Sequence, residues 1–184
     1  MKGSRVLKET EIKKILKYLK RTNYRNYIGV RLSLTFGLRV QELLNLKFDD
    51  FQNDFVTIKS LKKSNDQKFP IPKKLKNEIA KLKSYYKDNK IEFSSKSSIL
   101  ISKKKCVLTR QQFNLIIRNT CLHLEIKGKV SNHSFRKTLI TRVYKETNQD
   151  IILTKLYSRH KNINSLLPYI EIQKEPTLIK QLIW

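Results

Sequence analysis

The stretch RNYIGVRLSLTFGLRVQELLNL, residues 25–46, constrains the fold of this chain more than any other. It embeds an arginine, Arg39, between an apolar block that ends at Phe36 and a second one from Leu43 to Leu46. Tyr27, Ile28, Val30, Leu32 and Leu34 predict a helix over roughly Arg25 to Phe36. Gly37 stands where a C-terminal cap is expected, because glycine enters the left-handed region without a Cβ penalty. RVQELLNL then predicts a short helix. Upstream, Thr10 precedes Ile12, Ile15, Leu16 and Leu19, whose i, i+3, i+4, i+7 spacing draws one apolar stripe along a helix.

After the first third the period changes. Phe55 to Leu61 alternate as in a strand, Ser64-Asn65-Asp66 reads as a turn, and KFPIP resumes extended structure, giving a β-hairpin with lysines at its tip. Leu75, Ile79, Leu82 and Tyr86 predict another helix, and SSILIS a brief strand. Thr109 and Gln112 in LTRQQFNLIIRN form a capping box that opens the next helix. SNHSFRKTLITRVYKET, opened by Ser131 or Asn132, and DIILTKLYSRH predict two more. The expected class is α+β, mainly α: a helical bundle with a small antiparallel sheet. A length of 184 residues suits one well-formed core better than two small ones.

Charge narrows the partners. Forty Lys and Arg against 15 Asp and Glu leave +25, spread over the whole chain. A field of that size repels itself in a compact state, and a polyanion such as DNA or RNA relieves it. An anionic membrane surface would call for one basic amphipathic helix, not a global charge. The 39% hydrophobic content supports a core, which separates the chain from disordered basic proteins. No apolar run nears the ~20 residues of a membrane helix, and MKGSRVLKETEIKK lacks the apolar stretch of a signal peptide. A cytoplasmic, DNA-associated protein is expected. Cys106 and Cys121 form no CxxC pair, so no structural zinc is expected.

Several residues can carry chemistry. His133 and Arg136 in HSFR are three apart, so on a helix their Cβ atoms lie roughly 5–6 Å from each other. Near a helix N-terminus they could hold a phosphate, or they could be a solvated surface pair. Arg39 is either a structural ion pair with Glu42 or a clamp on two nonbridging phosphate oxygens. Lys62 and Lys63 at the hairpin tip are either solvated or able to protonate a leaving oxygen. His160 and Tyr169 are most simply structural. A phenol is only about 0.1% ionised at pH 7 and attacks nothing without cationic neighbours and a base. Asp49, Asp50 and Asp54 could suggest a metal route, but they read better as a solvated turn before the strand.

In order and spacing these signals resemble the catalytic domain of the tyrosine recombinases, the phage-integrase family. GLRVQELLNL matches its first arginine box, with Arg39 and the supporting Glu42. HSFR matches its H-x-x-R box, and Tyr169 follows His160 by nine residues, as the family's nucleophile does. The likeness extends over nearly the whole chain and is nearest to the single-domain fimbrial phase-switch invertases, which share LKK before the hairpin turn and an LTRQQF-like segment. It implies a catalytic domain over residues 1–175 without a separate N-terminal core-binding domain, and a tail, 176–184, whose apolar end docks on a neighbouring protomer or folds back on its own core.

The resemblance further implies a recombinase or invertase that needs neither metal nor ATP. Tyr169 would attack a DNA phosphodiester to form a 3′-phosphotyrosyl link. Arg39, Arg136 and His160 would stabilise the phosphorane, Lys63 would act as general acid, favoured over Lys62 because Lys63-Ser64 mimics the family's K-T step, and His133 would assist proton movement. Lys62, Lys68, Lys137 and Arg159 are the expected DNA contacts. The implied partner is double-stranded DNA with paired recombination sites, bound by a homotetramer that is monomeric in solution. The chain departs from the family at Arg159, where glycine is usual, at Lys137, where histidine is usual, and at Pro168 just before the tyrosine. The competing reading is a recombinase-fold DNA-binding or accessory protein with impaired catalysis.

Overall fold

Helix α2 (Tyr24–Phe36) is the axis around which the first part of the chain is built. Its Ile28, Val30 and Leu32 are wholly buried, and so is Ser33, so the helix is enclosed on nearly every side. Full burial of one such aliphatic side chain contributes about 1.5–3 kcal/mol. The computed structural model describes residues 3–59, 66–102, 104–160 and 162–170. Met1–Leu139 and Ile140–Trp184 form two units. No helix among the described residues is long and apolar enough to cross a membrane.

In the first unit α1 (Glu9–Thr22), α3 (Val40–Asn45) and α4 (Lys73–Asp88) pack on α2. Helix α1 starts one residue before Thr10, because the Glu11 carboxylate reaches back to accept from the Lys8 amide at 2.8 Å and so selects Lys8 as the capping residue. Strands β1 (Phe55–Ile58) and β2 (Gln67–Pro70) pair antiparallel, Phe55 opposite Pro70 and Ile58 opposite Gln67. Val56 and Ile58 turn inward from β1, as the alternation predicts. The expected turn at 64–66 lies mostly outside the described residues, as do Lys62 and Lys63.

SSILIS is not a strand of its own. Ser98 bridges only to Lys47 and Ile101 only to Val107, so successive residues pair with different neighbours and no ladder develops. Ile99, Leu100 and Ile101 are all buried in succession, a pattern set by a core that surrounds the segment. Helix α5 (Arg110–His123) opens on the expected box: Thr109 Oγ1 accepts from the Gln112 amide at 3.1 Å and Gln112 Oε1 from the Thr109 amide at 2.9 Å.

Gly37 ends α2 at φ +59, and a Cβ built there would meet Leu139 Cδ2 at 3.0 Å. Both the left-handed backbone and the close approach ask for glycine. Gly37→Ala is therefore expected to destabilise the protein by about 1–2 kcal/mol, read as a lower urea midpoint at unchanged slope. An unchanged midpoint would mean that the turn relaxes freely.

Helix α6 (Asn132–Glu146) crosses the boundary between the units. In the second unit, Asp150 Oδ1 caps α7 (Ile151–Ser158) by accepting from the amides of Ile152 and Leu153. Helix α8 (Ile163–Leu166) is capped by Asn162, and a 3-10 turn follows over Leu167–Tyr169 with Pro168 near its start. Proline lacks the donor needed to continue an α-helix but fits the first turn of a helical segment. Ile140, Leu166 and Ile170 form a small core, with Tyr144, Ile151 and Tyr169 packed against it.

Candidate active site

The chain leaves α2 at Gly37 with carbonyl groups that have no helical successor to bond them. Helix α6 supplies their donors. Arg136 Nη1 donates to the Gly37 carbonyl, and Asn132 Nδ2 donates to the Leu38 carbonyl at 3.1 Å. Asn132 Oδ1 in turn accepts from the Ser33 hydroxyl at 2.8 Å, which ties the start of α6 to α2 itself. These bonds bring the arginine box and the H-x-x-R box together although almost a hundred residues separate them.

Arg39 comes next in the chain and caps α3. Glu42 holds it twice: Oε2 accepts from the Arg39 amide and Oε1 from Nη1, both at 2.8 Å. The Glu42 side chain is 1% exposed and that of Arg39 43%. A buried carboxylate thus orients a guanidinium whose other donors reach outward, so the ion-pair and the clamp readings of Arg39 are compatible. Arg136 is only 1% exposed, so it is not half of a solvated surface pair.

His133 lies on the exposed side of α6, and its amide donates to Ser131 Oγ at 3.2 Å. Partial desolvation, followed by the positive charges of Arg136, Arg39 and Lys137, holds its imidazolium below the usual histidine pKa. One ring therefore senses both arginines. The neutral ring is favoured in the folded protein, so this group adds stability at neutral pH that declines as pH falls through the ordinary histidine value towards the depressed one. In an NMR titration the His133 midpoint should lie below 6.5 in the wild type and move upward in Arg39→Gln. An unmoved midpoint would show that the Arg39 charge does not reach the ring.

In the second unit, His160 is 9% exposed and its Nδ1 lies 2.7 Å from Ser158 Oγ. Its ring centroid is 4.7 Å from that of Tyr169, with the planes inclined at 54°. The Tyr169 carbonyl accepts from Thr141 Oγ1 at 2.9 Å, which holds the 3-10 turn to α6. Arg159 ends α7 at φ 58. This is the left-handed position that glycine fills cheaply, and here an arginine fills it without changing the cap.

The remaining expected residues are placed as follows. Lys68 is exposed on β2, while Lys137 and Arg159 are half-buried. Lys62 and Lys63, like the tail at 176–184, fall outside the described residues. The three acidic residues before the strand are occupied locally: Asp50 accepts from the Lys47 amide, Asp49 from Gln52, and Asp54 pairs with Lys76 at 2.6 Å. Asn132 was not among the sequence candidates. Ser33, a hydroxyl set between Leu32 and Leu34, was the signal that a buried polar partner must exist.

The model of the phage integrase family matches residues 5–175. Tyrosine recombinase XerC of Caldanaerobacter subterraneus subsp. tengcongensis is 28% identical over 152 residues, which are 80% of this chain and 41% of that protein. Tyrosine recombinase XerA of Thermococcus kodakarensis is 28% identical over 178 residues, 93% of this chain and 59% of that one. The chain thus spans about half the length of these curated relatives. Among solved structures, XerH site-specific recombinase bound to difH substrate in a pre-cleavage complex superposes with a TM-score of 0.76 at 19% identity, covering 100% of this chain and 55% of that one. The fold is the one these recombinases share.

Proposed function

The chain belongs to the phage integrase family, the tyrosine recombinases, and on that premise we propose that it cleaves and rejoins DNA at specific sites through a 3′-phosphotyrosyl link on Tyr169. The observation that carries this reading is the pair of bonds from Arg136 and Asn132 to the Gly37 and Leu38 carbonyls, which assembles Arg39, Glu42, His133 and Arg136 into one basic site.

In the proposed reaction the Tyr169 hydroxyl oxygen forms a bond to a backbone phosphorus while the bond to the 5′-oxygen breaks. Arg39, Arg136 and His160 stabilise the charge that grows on the nonbridging oxygens. A donor already oriented for that charge contributes about 10²–10³ in rate, and Glu42 provides this orientation for Arg39. Lys63 gives a proton to the leaving 5′-oxygen, and His133, with its neutral ring favoured, assists removal of the phenol proton. A 5′-hydroxyl from another strand then attacks the phosphotyrosyl phosphorus and releases Tyr169. Bond energy is conserved in the ester, so the step needs no nucleotide hydrolysis. Lys62, Lys68, Lys137 and Arg159 contact the duplex. Exchange between paired sites requires four such active sites, hence a tetramer on DNA, and inversion follows when the sites are oppositely oriented.

The test is a suicide duplex nicked beside the cleavage position of a verified cognate site. The wild type is expected to run as a covalent protein–DNA species on a denaturing gel. Retarded DNA on a native gel with no covalent species would instead support an accessory DNA-binding protein.

A further inference from the structure

The end of α2 remote from Arg39 borders a cleft of about 300 Å³ in the first unit, a size at the lower end of small-molecule sites. Arg25, Lys90 and Lys105 line it together with Tyr85, Tyr86 and Asn89, and no carboxylate among the described residues does. Arg25 and Gly37 stand at opposite ends of the helix, about 18 Å apart along its axis at 1.5 Å per residue. The cleft is therefore distinct from the candidate active site.

Arg25 is the unusual member. It is half-buried, and its guanidinium donates only to neutral acceptors: Nε and Nη2 to Asn26 Oδ1, at 3.0 and 2.9 Å, and Nη1 to the Ile101 carbonyl at 2.8 Å. It forms no ion pair among the described residues. Three of its five N–H groups are used, which leaves two donors and a full charge without a counter-ion in a partly dry place. Burial lowers its pKa from the usual arginine value, as expected for a cation with no anion beside it.

The neighbouring groups add to this. Lys90 and Lys105 take left-handed φ values of 54 and 61, positions where asparagine or glycine is the common choice. Lys105 pairs with Glu92 at 2.9 Å, but Glu92 is 83% exposed, so the bond competes with water. Tyr85 is half-buried and stands beside the buried Tyr86, ring centroids 6.0 Å apart, leaving an aromatic wall next to the cations.

We propose that this cleft is a second anion site, one that takes a phosphate group attached to a planar ring, as in a nucleotide. Arg25 meets the phosphate with its two remaining donors, Lys90 and Lys105 supply the rest of the charge, and the ring lies against Tyr85. A free mononucleotide and a nucleic-acid strand both present such a phosphate, and the experiment distinguishes them. The site does not depend on the recombinase reading.

Calorimetric titration with AMP and with inorganic phosphate, using the full chain at low salt, tests the proposal. One saturable AMP site is expected, with phosphate as a competitor. Its affinity should fall tenfold or more in Arg25→Gln and in the exposed double variant Lys90→Gln/Lys105→Gln, and stay unchanged in Arg39→Gln. The double variant keeps the test valid if Arg25→Gln fails to fold. If neither small anion binds, but the double variant lowers the salt dependence of binding to a 30-base-pair duplex by about one to two ion equivalents, the source is a DNA strand. Binding that is lost in Arg39→Gln and kept in the cleft variants overturns the proposal, as does a double variant indistinguishable from wild type with every probe.

Discussion

Tyr169→Phe is expected to abolish covalent capture of a nicked duplex, by roughly 10⁴-fold or more, the scale of removing a nucleophile, while DNA affinity and the thermal midpoint stay near wild type. The substitution removes one oxygen and leaves the ring, so the 4.7 Å contact with His160 and the packing against Ile140, Leu166 and Ile170 persist. The bond from Thr141 goes to the Tyr169 main-chain carbonyl and is indifferent to the side chain. Tyr157, 56% exposed on α7, is the matched control, and Tyr157→Phe should capture as wild type does. If Tyr169→Phe captures DNA as well as wild type, the nucleophile is another residue.

The second large effect is expected at Arg136, on stability and on chemistry together. Arg136→Ala takes a donor from the Gly37 carbonyl and empties a space that a fully buried side chain had filled. Loss of a charged hydrogen bond and creation of a cavity together predict about 3 kcal/mol of destabilisation. Capture should fall by a further 10²–10³ beyond any loss of folded protein, if the guanidinium meets the developing phosphorane charge. Arg136→Lys separates the two effects. It keeps the charge and most of the volume but cannot bond the carbonyl and an oxyanion as a planar fork does. It should recover much of the stability and little of the capture rate. Denaturant midpoints and single-turnover capture, measured on the same preparations, distinguish these outcomes. Full recovery of capture by lysine would mean that charge alone matters at this position.

Elements governed by local rules were legible in the sequence. The Thr109–Gln112 box and the end of α2 at Gly37 form as expected, because capping chemistry and a left-handed residue act within a few positions. SSILIS does not form the expected strand, because β pairing depends on a partner that the segment itself does not contain. DIILTKLYS forms α7 as its pattern predicts, yet Ile152, Leu156 and Tyr157 are 64, 60 and 56% exposed. A period of 3.6 identifies a helix but does not say what its apolar residues meet.

The candidate site divides along the same line. Composition and periodicity alone determined that the chain is strongly basic and mainly helical, and the resemblance of GLRVQELLNL and HSFR to the family's boxes pointed to the recombinases. The i, i+3 spacing also allowed Glu42 to reach Arg39, which it does as the partner of the residue that caps α3. Only the tertiary structure decided that Arg136 is buried, that Asn132 joins Ser33 to the Leu38 carbonyl, and that Arg25 lines a cleft with no carboxylate among its described residues. The physical reason is range. Capping and periodicity are written within one turn, whereas the partner of a buried polar group comes from wherever the chain returns, and that is settled only when the core closes.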